Sequence, residues 1–184
     1  LVVSVRFVLE RDLYSFGPHP ISSLPLGELF SGFTMGFMIV LLSVYINSFQ
    51  VFAWNWATIG RIFLLALADE LWISNLMLAN NLCDAQEDED NHRTTIIHFI
   101  GKKRGLIAFS VKNVLAFLVI FLLPFLGIAP KTVWLTVIIV PFVYKQNKIL
   151  IGKQVKTETF ITGVKTLLVG SLTYLITYFL GILF

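Results

Sequence analysis

The residues best suited to chemistry lie in one short stretch, Leu78-Ala-Asn-Asn-Leu-Cys-Asp-Ala-Gln-Glu-Asp-Glu-Asp-Asn-His-Arg93. Five acids fall between Asp84 and Asp90, and Arg93, Lys102, Lys103 and Arg104 follow them. On a helix, Asn80, Asp84 and Asp88 recur every fourth residue and share one face, with Asn81 beside them. Two carboxylates one turn apart offer hard oxygens to Mg²⁺, an ion that keeps several waters and leaves coordination positions for a substrate phosphate. The neighbouring cations would complete a diphosphate site. A calcium loop starting at Asp84 fails, because Glu89 stands where Gly is required and Thr95 where the bidentate Glu belongs. Zinc also fails, since His92 and His98 lack ligand spacing with Cys83. The plainer alternative is a solvated acidic loop between two helices. Against it, Asn and Asp at membrane depth are costly unless they serve something.

That depth follows from the elements around the stretch. Of the 184 residues, 57% are hydrophobic and 14% charged, with a mean hydropathy of +0.82; soluble domains hold roughly 45–50% apolar residues. With 17 Phe and 4 Trp set among long Leu, Ile and Val blocks, the chain reads as an all-α, multi-span transmembrane helix bundle. Cys83, the only cysteine, has no partner for an internal disulfide. The net charge of +3 gives no case for a nucleic-acid partner. Five complete spans are expected, at about 27–47, 58–83, 105–127, 132–144 and 161–184, in a single domain over 1–184. The fourth is short and broken by Pro141. Before them, Gly17, Pro18, Pro20 and Pro25 interrupt any helix, and His19 in that turn reads as structural or solvated.

Basic residues concentrate in cytoplasmic loops. Arg6, Arg11, Arg93, Lys102, Lys103, Arg104, Lys145, Lys148, Lys153 and Lys156 fall on one side of the expected spans, and only Arg61 and Lys131 on the other. The aspartate-rich segment is therefore expected on the cytoplasmic side of a multi-pass cell-membrane protein. The chain begins at Leu1, and the apolar stretch Leu1 to Leu9 is about half a span, so an earlier part is expected to be missing.

The stretch Asn80 to Thr95 resembles the second aspartate-rich motif of the UbiA superfamily of intramembrane prenyltransferases. It is most similar to the 1,4-dihydroxy-2-naphthoate polyprenyltransferase (MenA-like) branch. That motif reads approximately N-N-x-R-D-x-x-x-D-x-x-x-G-K-x-T; Asn80, Asn81, Asp84, Asp88 and Thr95 match it. Cys83 stands for the usual Arg, His92 for the Gly, and Arg93 for the Lys with its charge kept. Tyr14 to Gly32 also looks like the Gly-Pro-x-Pro and Gly-Glu stretch ahead of that branch's fifth helix.

The resemblance implies a nine-helix fold of which this chain supplies the C-terminal part, with two aspartate-rich motifs in all. Only Glu10 with Asp12 offers another acid pair, and it has neither the spacing nor the Asn, so the cavity is expected to be half built. It implies Mg²⁺ on Asp84 and Asp88, a polyprenyl diphosphate donor and an aromatic acceptor. Asp84, Asp88 and Arg93 become the catalytic candidates; Asn80, Asn81, Arg93, Lys102 and Lys103 become substrate-binding candidates, with lipid headgroups the slightly preferred use for the two lysines. Transfer of a prenyl group to 1,4-dihydroxy-2-naphthoate in menaquinone synthesis is the implied function. Other aromatic acceptors (4-hydroxybenzoate, a haem precursor), a small cation transporter and a non-catalytic subunit are the alternatives. Asp69 and Glu70, near the middle of the second span, need the bundle interior, a wet cavity or a cationic partner such as Arg61. Glu28 suits a helix N-terminus, where a carboxylate is favoured, and its match to the family's Gly-Glu implies a role in the cavity as the alternative.

Overall fold

A computed structural model describes residues 27–91 and 93–184. The expectations for Leu1 to Leu9, Glu10 with Asp12, Tyr14 to Pro25, His19 and His92 lie outside the described residues. Among the described residues there are five helices long and apolar enough to cross a membrane. These are α1 (Gly27–Ser48), α2 (Trp56–Asp90), α3 (Ile96–Leu122), α4 (Lys131–Gly152) and α5 (Lys156–Leu183).

Helix α2 is the axis of the bundle, packed by α1, α3 and α5. Asn55 caps it, its Oδ1 accepting the Thr58 N–H at 2.9 Å, and no Pro or Gly after Gly60 interrupts it. Its 35 residues span about 52 Å, well beyond the roughly 30 Å hydrocarbon core. The helix therefore continues past Cys83 and carries Asp84 to Asp90 on its last turns.

Three apolar clusters fix the neighbours. Ala68, Trp72, Ala116, Ile120, Leu123, Val133 and Tyr174 join α2 to α3, α4 and α5. Leu78, Ala79, Leu82, Ala85, Ile97, Phe109 and Leu150 join α2 to α3 and α4 nearer the acidic end. Phe37, Leu41, Ile62 and Ala66 seat α1 on α2. Lipid tails are as apolar as these side chains, so polar ties and close backbone approach carry much of the association. Asn75 Nδ2 donates to the Phe109 carbonyl at 2.9 Å and to Asn113 Oδ1 at 3.0 Å. The Thr136 and Thr177 hydroxyls meet at 2.9 Å between α4 and α5. Outward, Ile46, Val114, Ile138 and Leu168 are exposed, as lipid-facing residues are.

Helix α1 approaches α2 through Gly32 and Gly36, across a π-helical stretch from Gly32 to Met38. A Cβ on Gly36 would lie 2.7 Å from the Cα of Glu70. Gly36→Ala should therefore lower stability by about 1–3 kcal/mol, read as a drop in Tm in detergent micelles. An unchanged Tm would show that α1 is not held at this crossing.

Several span boundaries differ from the sequence expectation. Helix α3 starts at Ile96, not near Gly105, and turns sharply at Gly101, whose φ of 77° belongs to the left-handed region glycine tolerates. Helix α4 is not broken at Pro141. It runs as a 3₁₀-helix from Lys131 to Ile139 and becomes α-helical from Val140, with Pro141 in the first turn, where its missing N–H costs nothing. The stretched 3₁₀ part, rising about 2.0 Å per residue, gives its 22 residues a length of about 38 Å. Lys145 and Lys148 consequently lie on a helix and not in a loop.

Candidate functional site

Because α2 is unbroken, Asn80, Asp84 and Asp88 do share one face, and the chain beyond folds back over it. The Arg93 N–H donates to the Asp88 carbonyl at 2.8 Å, which reverses the chain after Asn91 and sets the Arg93 guanidinium 3.7 Å from Asp88 Oδ1. Asp88 is only 5% exposed. From the start of α5, Lys156 Nζ donates to both Asn80 Oδ1 and Asp84 Oδ2. The same ammonium lies 5.2 Å from the centre of the Phe160 ring.

The oxygens left over are the informative ones. Asp84 Oδ1 and Asp88 Oδ2 are buried without a hydrogen-bond partner. Burying such atoms unpaired costs free energy, so their proximity on one helix end suits an arriving cation or donor. They are hard oxygens, the kind Mg²⁺ takes. Among the described residues no group of three or more His, Cys, Asp or Glu gathers in a metal-holding arrangement. An ion here would complete its shell with water and substrate oxygens.

Asn81 points elsewhere. Its Nδ2 donates at 2.7 Å to Oε1 of Glu28, which is buried in the first turn of α1. Glu28 thus reaches across to α2 and is not simply a helix-end carboxylate. Lys102 and Lys103 are exposed and form no ion pair among the described residues. Lys102 edges a shallow hollow with Ala85, Gln86, Glu89 and His98, on the neighbouring face of α2. His98 serves the local backbone, its Nδ1 accepting the Thr95 N–H at 3.3 Å at the start of α3.

Mid-span, Asp69 and Glu70 diverge. Asp69 Oδ1 accepts from Ser171 of α5 at 2.5 Å and borders a small cavity with Tyr174. Glu70 turns to the opposite side, into a cavity shared with Glu28, Ser74 and Lys112. Neither pairs with Arg61. Sequence reasoning misses Lys156 and Lys112 as site residues. The one signal available for Lys112 is a lone cation inside an apolar span.

No family model matches the chain, and no solved structure matches it. It is 30% identical over 129 residues to 1,4-dihydroxy-2-naphthoate octaprenyltransferase from Bacillus subtilis (strain 168), an alignment covering 70% of this chain. The chain spans 39% of the length of that curated relative. A prenyltransferase relative found by sequence similarity, and an Asn-Asn-x-x-Asp-x-x-x-Asp face at the end of a membrane-spanning helix, point the same way: the chain belongs to the UbiA superfamily of prenyltransferases, among the 1,4-dihydroxy-2-naphthoate polyprenyltransferase-like members.

Proposed function

We propose that the protein containing this chain transfers a polyprenyl group from its diphosphate to 1,4-dihydroxy-2-naphthoate, with Mg²⁺ as cofactor. The supporting observation is the face of α2 on which Asp84 and Asp88 keep unpartnered oxygens while Lys156 and Arg93 stand beside them. Asp84 and Asp88 would hold the metal, which when bound neutralises diphosphate charge.

Breaking the allylic C–O bond yields a carbocation and a diphosphate polyanion together, and the anion must be stabilised where water is scarce. Lys156 and Arg93 are fixed beside the carboxylates and do this without reorganising at the moment of reaction. Asn80 and Asn81 orient the pair, one through Lys156 and the other through Glu28. The apolar walls of the bundle keep water from the cation. The electron-rich ring then forms the new C–C bond, and the ring carboxylate departs as carbon dioxide. Asp69 and Glu70 open onto separate cavities.

The basic residues flanking the aspartate face, Arg93, Lys102, Lys103, Arg104 and Lys156, support a position at the cytoplasmic surface of the cell membrane, where anionic headgroups also meet Lys102 and Lys103.

The test is transfer of labelled octaprenyl diphosphate to 1,4-dihydroxy-2-naphthoate by the full-length protein in proteoliposomes. Transfer should vanish with EDTA and return with added Mg²⁺. Undiminished transfer in EDTA would remove the metal role, and no transfer to this acceptor would remove the substrate assignment.

A further inference from the structure

The cavity between α1, α2 and α3 is distinct from the aspartate face yet joined to it. Its volume is about 310 Å³, within the range of small-molecule sites, and it runs about 12 Å along α2 from Leu78 to Glu70. Leu29, Leu71, Leu78, Ile96, Ile100 and Ala108 make its walls apolar. Three charged side chains converge there from three helices: Glu28 of α1, Glu70 of α2 and Lys112 of α3. Lys112 Nζ donates to Ser74 Oγ at 2.6 Å and forms no ion pair among the described residues. Glu70 Oε2 is buried without a partner. Glu28 is committed to Asn81, and through it to the end of α2 that bears Asp84.

An ammonium and an unsatisfied carboxylate, set in an apolar slot, match a planar aromatic carrying both a carboxylate and a hydroxyl. We propose that this cavity binds the aromatic hydroxy-acid acceptor. Lys112 grips the ring carboxylate and Glu70 accepts a hydrogen bond from the ring hydroxyl. The Glu28–Asn81 bond fixes the floor of the slot relative to the diphosphate face, so the ring lies next to the carbon it attacks. The close approach of Gly32 and Gly36 to Glu70 holds that carboxylate in place. The assignment rests on the acceptor class proposed above but is read out by binding alone.

The experiment titrates the full-length protein in detergent with 1-hydroxy-2-naphthoate, an acid that fluoresces, and with 1-naphthol, which lacks the carboxylate. Wild type should bind the acid at least ten-fold more tightly than 1-naphthol. Lys112→Met should erase that difference while leaving 1-naphthol binding in place, and Lys112→Arg should keep most of it. Glu70→Gln should weaken 1-hydroxy-2-naphthoate several-fold and 2-naphthoate, which lacks the hydroxyl, hardly at all. Acid binding that is indifferent to Lys112→Met, or a loss shared equally by 1-naphthol, would overturn the site. Prenyl transfer with acid binding indifferent to Lys112 removes this site and leaves the function. Lys112-dependent acid binding without any transfer removes the function and leaves the site.

Discussion

Asp88→Asn should lower prenyl transfer by about 10²–10³-fold while leaving the fold intact, the size of effect seen when one preorganised charge-stabilising group is lost. The substitution keeps the shape and removes one negative charge from a side chain that is almost fully buried. Its partner Arg93 is half-exposed and 3.7 Å away, so the folded state loses little, and relief of a buried charge offsets part of that. Activity and stability should therefore separate: transfer collapses and Tm stays within a few degrees. Asp84→Asn should cost a similar factor in transfer but also some stability, because it removes the anion that holds Lys156 across from α5. Transfer by the Asp88→Asn protein within three-fold of wild type would exclude Asp88 from the chemistry.

Lys156→Met is expected to reduce kcat by about 10²-fold with little change in the KM for the aromatic acceptor. The methionine keeps much of the aliphatic stem beside Phe160 and loses the ammonium that contacts Asn80 and Asp84. Lys156→Arg should recover a large part of the rate, since a cation is restored at the same place. If the role were only to tether α5 to α2, Met and Arg variants would change stability and leave kcat alone. Measuring Tm and kcat side by side on both variants decides this.

Much of this architecture is legible in the sequence because helix periodicity is local. The four-residue spacing of Asn80, Asp84 and Asp88 needs only an unbroken helix past Cys83, and nothing between Gly60 and Asp90 breaks one. The five spans follow from apolar length. Pro141 misleads for a local reason: a proline ends a helix when it falls in the interior and begins one when it falls in the first turn. Sequence alone does not reveal the 3₁₀ stretch ahead of it. Gly101 gives no sign that it takes a positive φ and splits the start of α3.

What stays hidden in the site is every partner supplied by another helix. Lys156 is 72 residues from Asp84, and Glu28 is 53 from Asn81. Lys156 reads as a loop cation when the fifth helix is expected to start near Ile161, whereas that helix starts at Lys156 itself. The Glu28, Glu70 and Lys112 cavity depends on the rotation of three helices about their own axes. In a bundle packed through glycines and polar ties, that rotation leaves only a weak trace in hydropathy.

The claim that Asp84 and Asp88 hold a metal against the donor's diphosphate is tested most directly by replacing Mg²⁺ with Mn²⁺ and recording its electron paramagnetic resonance with a prenyl diphosphate bound to the full-length protein. Phosphorus-31 coupling to a bound Mn²⁺ is expected, diminished in Asp84→Asn and in Asp88→Asn and lost when both are changed. A spectrum in which Mn²⁺ contacts the diphosphate equally well in the doubly substituted protein would contradict it.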